Sequence, residues 1–332
     1  RMKTAKGSTT GALIVILIVF LGGLSGCASL GGGQQTLSRD TEYRRILELQ
    51  KHKATLAAAE ESEQKIPDAT AEGAERLGDQ HMRQGNLSMA FLQYYKSLRL
   101  DPERGAVRHK VGVLLLSRGM TDEADKEFDE MLRHRDCHDL AYEGKGRVSL
   151  ARNEPEKAVA NFQKALEINK TLWQAKAYLG IIYDRQKRYD AAIREYEEAV
   201  ELNPNTSILF NNLGLSYLHK GEYPNAVDAF IKALRHDPEN SLIYNNLGLA
   251  LFKTGRHQQS FEAFKKAGGE PAAYNNIGCL HMAEGEYDRA RQAFAMAIEK
   301  RPSYYVKAHE NMNRVTSAVQ RAETDPTTVQ AE

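Results

Sequence analysis

Residues 210–214 read FNNLG, residues 244–248 read YNNLG and residues 274–278 read YNNIG. The first two phrases are 34 residues apart, and the third follows after 30. Working outward from the terminal glycine of each phrase, the same spacing runs through most of the chain. Gly78, Gly112, Gly146, Gly180, Gly214 and Gly248 are each separated by 34 residues, and Gly278 closes the series. Twelve residues past each of them stands Ala90, Ala124, Ala158, Ala192, Ala226, Ser260 or Ala290. Four further on comes an aromatic: Tyr94, Phe128, Phe162, Tyr196, Phe230, Phe264 and Phe294. Pro102, Pro204, Pro238 and Pro302 close four of the units.

Seven units in register resemble the tetratricopeptide repeat, a helix–turn–helix of 34 residues with Leu-Gly, aromatic, Ala, Phe and Pro at fixed places. The resemblance implies an all-α fold, a superhelix of seven helical hairpins over residues 71–304 with a capping helix over 305–321. The physics is consistent with it. Gly and Ala allow two helices a close approach, and Pro, lacking an N–H, stops the second helix. No hairpin buries its apolar face alone, so neighbours stack. Asp136 and Lys170 stand where two prolines are expected, and the sixth unit is four residues short, with GGEP at 268–271. A tightened junction is expected there. Residues 322–332 are expected to be a disordered tail.

The amino terminus has a different texture. Arg1, Lys3 and Lys6 precede the apolar run GALIVILIVFLGGL at 11–24. That run falls short of the roughly 18 residues a membrane span needs, and with its basic start it reads as a secretory signal over residues 1–26. It ends in Leu24, Ser25, Gly26 and Cys27, which resembles the lipobox of bacterial lipoproteins. The resemblance implies cleavage before Cys27 and fatty acylation of that residue, palmitate included. With Ala28 rather than Asp following, it further implies the periplasmic face of the outer membrane. A plain secretory signal with an incidental cysteine, or an uncleaved anchor, is the alternative. Residues 27–70 then form a tether with one helix, spacing the lipid from the repeats.

The chain has 45 Lys+Arg against 44 Asp+Glu, so no basic stripe points to nucleic acid. Removing residues 1–26 loses three cations and no acid, turning the formal charge from +1 to −2. Cys137 and Cys279 fall in well-separated units and are expected to remain free thiols, since a disulfide requires Cα atoms within about 7 Å. HRDCHD at 134–139 is the one metal-like cluster. A solvated turn accounts for it better than a zinc site on His134, Cys137 and His138. Neither a nucleophile elbow nor HExxH nor a Walker motif is present, so the expectation is a non-enzyme without cofactor or metal.

Two readings of the repeated asparagines stand side by side. At 100° per residue, the second Asn of each phrase lies about 160° from the seam-facing Gly. The repeat resemblance places that side of the first helix along a binding groove. Asn211, Asn212, Asn245, Asn246, Asn275 and Asn276 would there pair with the backbone of an extended peptide, each amide offering donors and an acceptor. The second reading has them hydrogen-bonding between neighbouring repeats without any ligand. In the first two units Glu75-Arg76 and His109-Lys110 occupy the same places.

The signal, the run of repeats and the stretch AAYNNIGCLHMAEGEYDRARQAFAMAIEKRPSYYVKAHENMNRV at 272–315 resemble the TadD lipoproteins of tight-adherence pilus machinery and the wider group of pilotin-like lipoproteins. That resemblance implies a scaffold assisting pilus or secretion assembly, with a secretin, pilus component or other envelope protein as partner. The alternative is an adaptor for peptidoglycan hydrolases or proteases, as NlpI-like lipoproteins are.

Overall fold

The structure is a computed structural model that describes residues 70–134, 136–300 and 306–324. The expected signal peptide, the lipidated Cys27, the tether and most of the tail lie outside the described residues. Fifteen α-helices account for the described residues, and no strand occurs among them. None of these helices is long and apolar enough to cross a membrane.

The helices pair in order into hairpins. They are α1 (Ala71–Arg83) with α2 (Leu87–Leu100), α3 (Gly105–Ser117) with α4 (Thr121–Met131), and α5 (His138–Ala151) with α6 (Pro155–Ile168). Next come α7 (Trp173–Arg185) with α8 (Tyr189–Leu202), and α9 (Ser207–Lys220) with α10 (Tyr223–His236). The last pairs are α11 (Ser241–Lys253) with α12 (His257–Gly268), and α13 (Glu270–Ala283) with α14 (Tyr287–Glu299), followed by the single helix α15 (Val306–Thr324). The described residues fall into two compact units, the first ending at Ala175 and the second beginning at Lys176.

The spacing read in the sequence becomes a packing rule. All seven glycines of the 34-residue series face the aromatic ring sixteen residues later in their own hairpin. A Cβ added at Gly214 would lie 2.7 Å from a ring carbon of Phe230, and one at Gly278 would lie 2.6 Å from Phe294. The ring therefore fills the space that a side chain on the first helix would occupy. All seven aromatics are at most 2% exposed, and the residues four before them, six Ala and Ser260, are at 0%. Where serine replaces alanine the hydroxyl finds a carbonyl. Ser260 Oγ donates to Gly248 O at 2.7 Å, and Ser97 Oγ donates to Ala71 O at 2.8 Å.

Each hairpin turns through one residue with positive φ, always seven after the series glycine: Gly85, Gly119, Asn153, Lys187, Gly221, Gly255 and Gly285. Five are glycine, for which the left-handed region carries no steric penalty. Asn153 and Lys187, both at φ 59°, are the two exceptions.

The irregular junctions are met by local chemistry. At Lys170, Asn169 Oδ1 accepts from the Thr171 N–H at 3.0 Å and so makes the turn a proline would have made. Beside Asp136, Cys137 takes φ 65° to start α5. At the shortened sixth unit Gly269 alone joins α12 to α13, with φ 83° and ψ 173°, and Pro271 sits in the first turn of α13.

Candidate functional site: an amide stair on the first helices

The asparagines lie on α9, α11 and α13, the first helices of three consecutive hairpins in the second unit. They form a regular stair. Asn246 Nδ2 donates to Asn211 Oδ1 at 2.9 Å, and Asn276 Nδ2 donates to Asn245 Oδ1 at 3.2 Å. The second Asn of each hairpin thus reaches back to the first Asn of the hairpin before it. The four residues missing from the sixth unit are lost after α11, at the end of α12 and its joint, so the step survives the deletion.

Burial follows this pairing. Asn211 and Asn212 are 5% exposed and Asn275 is 6% exposed, while Asn245, Asn246 and Asn276 are half-buried. A buried amide left unpaired costs on the order of 1–3 kcal/mol, which the stair avoids. The row therefore has a packed side, carried largely by the first asparagines, and an accessible side at Asn246 and Asn276. Those two each spend one N–H on the neighbouring step. Ile208, Leu215, Leu242, Leu249 and Cys279 flank the row without being buried, and none carries charge at neutral pH. Burial pushes the Cys279 thiol up to about 11, so it stays protonated.

The stair has one more step, which the repeated phrase does not announce. Asn311 of α15, 4% exposed, donates through Nδ2 to Asn275 Oδ1 at 3.0 Å and lies 3.3 Å from Cys279 Sγ. Its signal was available as spacing alone: Asn311 follows Asn276 by 35 residues, as Asn246 follows Asn211.

The first unit repeats the step in ionic form. Lys110 occupies the place of the second Asn and Glu75 that of the first. Lys110 Nζ donates to Glu75 Oε1 at 2.8 Å and to Asp79 Oδ1 at 2.7 Å. Arg104 pairs with both Glu72 and Glu75. One hairpin further, the first-Asn places are held by His109 and Glu143, which meet at 2.7 Å. Glu143 is 1% exposed and also accepts from Arg147 Nε at 2.5 Å. Burial pushes the Glu143 carboxyl up, but Arg147 and His109 outweigh it and hold the group below its ordinary value.

Elsewhere the sequence candidates resolve as follows. Cys137 and Cys279 are both free thiols. In the HRDCHD stretch, His134 Nδ1 lies 2.7 Å from Glu103 Oε2, and His138 Nε2 meets the His134 carbonyl at 2.5 Å. No group of three or more His, Cys, Asp or Glu suited to a metal ion occurs among the described residues.

Known families match in three stretches. Residues 242–267 and 271–304 each match a tetratricopeptide repeat model, and residues 138–247 match the C-terminal ARM domain of tetratricopeptide repeat protein 21. No curated protein matches the chain. Among solved structures it is similar to Pseudomonas aeruginosa PilF, at 22% identity and a TM-score of 0.49, over 63% of this chain and 97% of that one. The C-terminal part of a repeat-containing protein from Cytophaga hutchinsonii aligns at 17% identity and a TM-score of 0.51, over 71% and 98%. Cut9 in the APC/C Cut9–Hcn1 hetero-tetramer aligns at 16% and 0.53, over 78% of this chain and 51% of that one. At these identities the likeness is one of fold. The helical hairpins of this chain are tetratricopeptide repeats, a scaffold for protein–protein interaction.

Proposed function

We propose that this protein is a non-enzymatic, lipid-anchored scaffold on the periplasmic side of the outer membrane. Its second unit would grip an extended segment of a pilus or secretion component during assembly. One observation carries the binding half of this reading. On three consecutive first helices, Asn246 and Asn276 sit half-buried in a row flanked by uncharged side chains, each with amide capacity beyond the single N–H it gives its neighbour. A polypeptide backbone is the partner that such amides match without reading side chains. The location rests on the lipobox-like sequence ending at Cys27. Several acyl chains on one cysteine, each CH₂ contributing about 0.8 kcal/mol, make a lasting anchor.

A second reading has its own support, since the stair pairs Asn with Asn between hairpins and so serves the stack directly. Crosslinking in cells followed by mass spectrometry separates the two. The wild-type chain would be run beside an Asn212/Asn246/Asn276→Ala variant of unchanged helicity. Recovery of a secretin or pilus subunit that the variant loses supports the proposal. Cell-wall enzymes among the captured proteins would replace assembly with the adaptor role. Equal capture by the variant would assign the asparagines to the stack alone.

A further inference from the structure

We infer that the amide face of the second unit takes an uncharged polyproline II segment in preference to a β-strand, an inference that rests on reading that face as a site for an extended chain. The argument is one of period. Asn212, Asn246 and Asn276 repeat once per hairpin, and their helices are neighbours joined by amide bonds of 2.9 and 3.2 Å. Packed helices lie about 8–10 Å apart. A polyproline II helix rises about 3.1 Å per residue with three residues per turn, so the same side of the ligand returns every ~9 Å. A β-strand cannot keep this register. Its faces alternate at about 3.3 Å per residue, so like positions recur at ~7 or ~13 Å and three residues present the opposite face.

Hydrogen-bond supply fits the same ligand. Polyproline II has no internal hydrogen bonds, and its prolines offer carbonyl acceptors without N–H donors. Asn246 and Asn276 each retain a second N–H after making the stair, the donor such carbonyls require. Ile208, Leu242 and Leu249 beside the row give an apolar contact for one residue in three. No charged side chain of the row is available to pair with a ligand charge, and burying an unpaired charge is costly.

The test is fluorescence anisotropy on the full chain with two labelled, uncharged peptides of equal composition and about five three-residue turns in length. One carries Leu at every third position among prolines, and the other carries Leu at every second position within a strand-forming background. The first is expected to bind more tightly by roughly tenfold. Its affinity is expected to change little between about 0.05 and 0.5 M salt. Ile208→Arg, an exposed substitution that leaves every stair hydrogen bond in place, is expected to weaken it. Equal or tighter binding of the strand-forming peptide overturns the inference and leaves segment binding intact. Binding unaffected by Ile208→Arg places the peptide elsewhere and overturns it too. Failure of both peptides to bind overturns the inference together with the reading beneath it.

Discussion

Asp184 and Lys187, three residues apart at the end of α7, show how single residues carry strain that the repeat does not require. Burial pushes the Asp184 carboxyl up to about 6, against hydrogen bonds from Ser216 and Tyr196 that work to lower it. Ser216 Oγ lies 2.9 and 2.8 Å from its two oxygens. A group whose folded-state pKa is raised holds its proton more tightly when folded, so stability falls as pH rises between the unfolded value near 4 and about 6. Asp184→Asn mimics the protonated acid. We expect it to raise the melting temperature at pH 7.5 by the equivalent of about 1–2 kcal/mol and to be neutral near pH 4, as thermal melts across pH would read. Lys187 is exposed and holds φ 59° where five of the seven hairpins use glycine. The left-handed region costs a non-glycine residue about 1–2 kcal/mol, partly offset by the greater freedom of glycine in the unfolded chain. Lys187→Gly is accordingly expected to stabilise by roughly 0.5–1 kcal/mol in urea unfolding.

At the scale of elements, the joints between helices divide the work. Within a hairpin the aromatic ring seated on the series glycine holds the two helices together, as Phe230 does on Gly214. Between hairpins, the first helices are tied by polar side chains in one register, Asn246 to Asn211 in the second unit and Lys110 to Glu75 in the first. Asn311 extends that register to α15, so this helix docks as the first helix of a further step would. Replacing Asn311 by Ala leaves the buried Asn275 carbonyl without this donor, at a cost of about 1–3 kcal/mol. Hydrogen exchange is expected to quicken over 306–320 and the adjoining part of α13, with 207–236 unchanged. Uniform protection in the variant would mean that apolar contacts at Ala308 and Val315, both 0% exposed, suffice to dock α15.

At the scale of the whole molecule, the two units use different chemistry for the same step, and their responses to acid and salt should separate. Glu75 and Asp125 in the first unit are pushed up by burial. Lys110 and Arg104 for the one, and Lys145 and Arg152 for the other, more than reverse this and hold both carboxyls below their ordinary values. For such groups the stabilisation is present above the unfolded value near 4 and is lost as pH falls through the folded one. Individual partly exposed pairs contribute about 0–1 kcal/mol each and are screened by salt. Hydrogen exchange at pH 7 and pH 3.5, and in low and high salt, is therefore expected to show the 71–152 helices losing protection first. The 207–253 helices, tied by neutral amides, should change less. Equal loss in both regions would mean that the ionic steps add nothing to the first unit beyond its apolar core.

The sequence by itself determined the all-α hairpin architecture, because glycine, alanine and the aromatic recur at distances set only by helix geometry and the length of one hairpin. The left-handed turn was equally legible where Gly221 or Gly255 supplies it, and hidden where Lys187 does, since lysine carries no conformational signature. The tightened joint at Gly269 followed from counting residues. The use of the asparagines did not follow, because an amide serves a ligand or a neighbour equally well. Only the tertiary structure decided that Asn211 and Asn275 are buried in pairing between hairpins while Asn246 and Asn276 keep an accessible side. The same holds for Lys110 with Glu75 and for Asn311. A side-chain hydrogen bond depends on angstrom-scale placement across two helices, and a spacing of 35 residues fixes which side chains are neighbours but not which of their atoms meet.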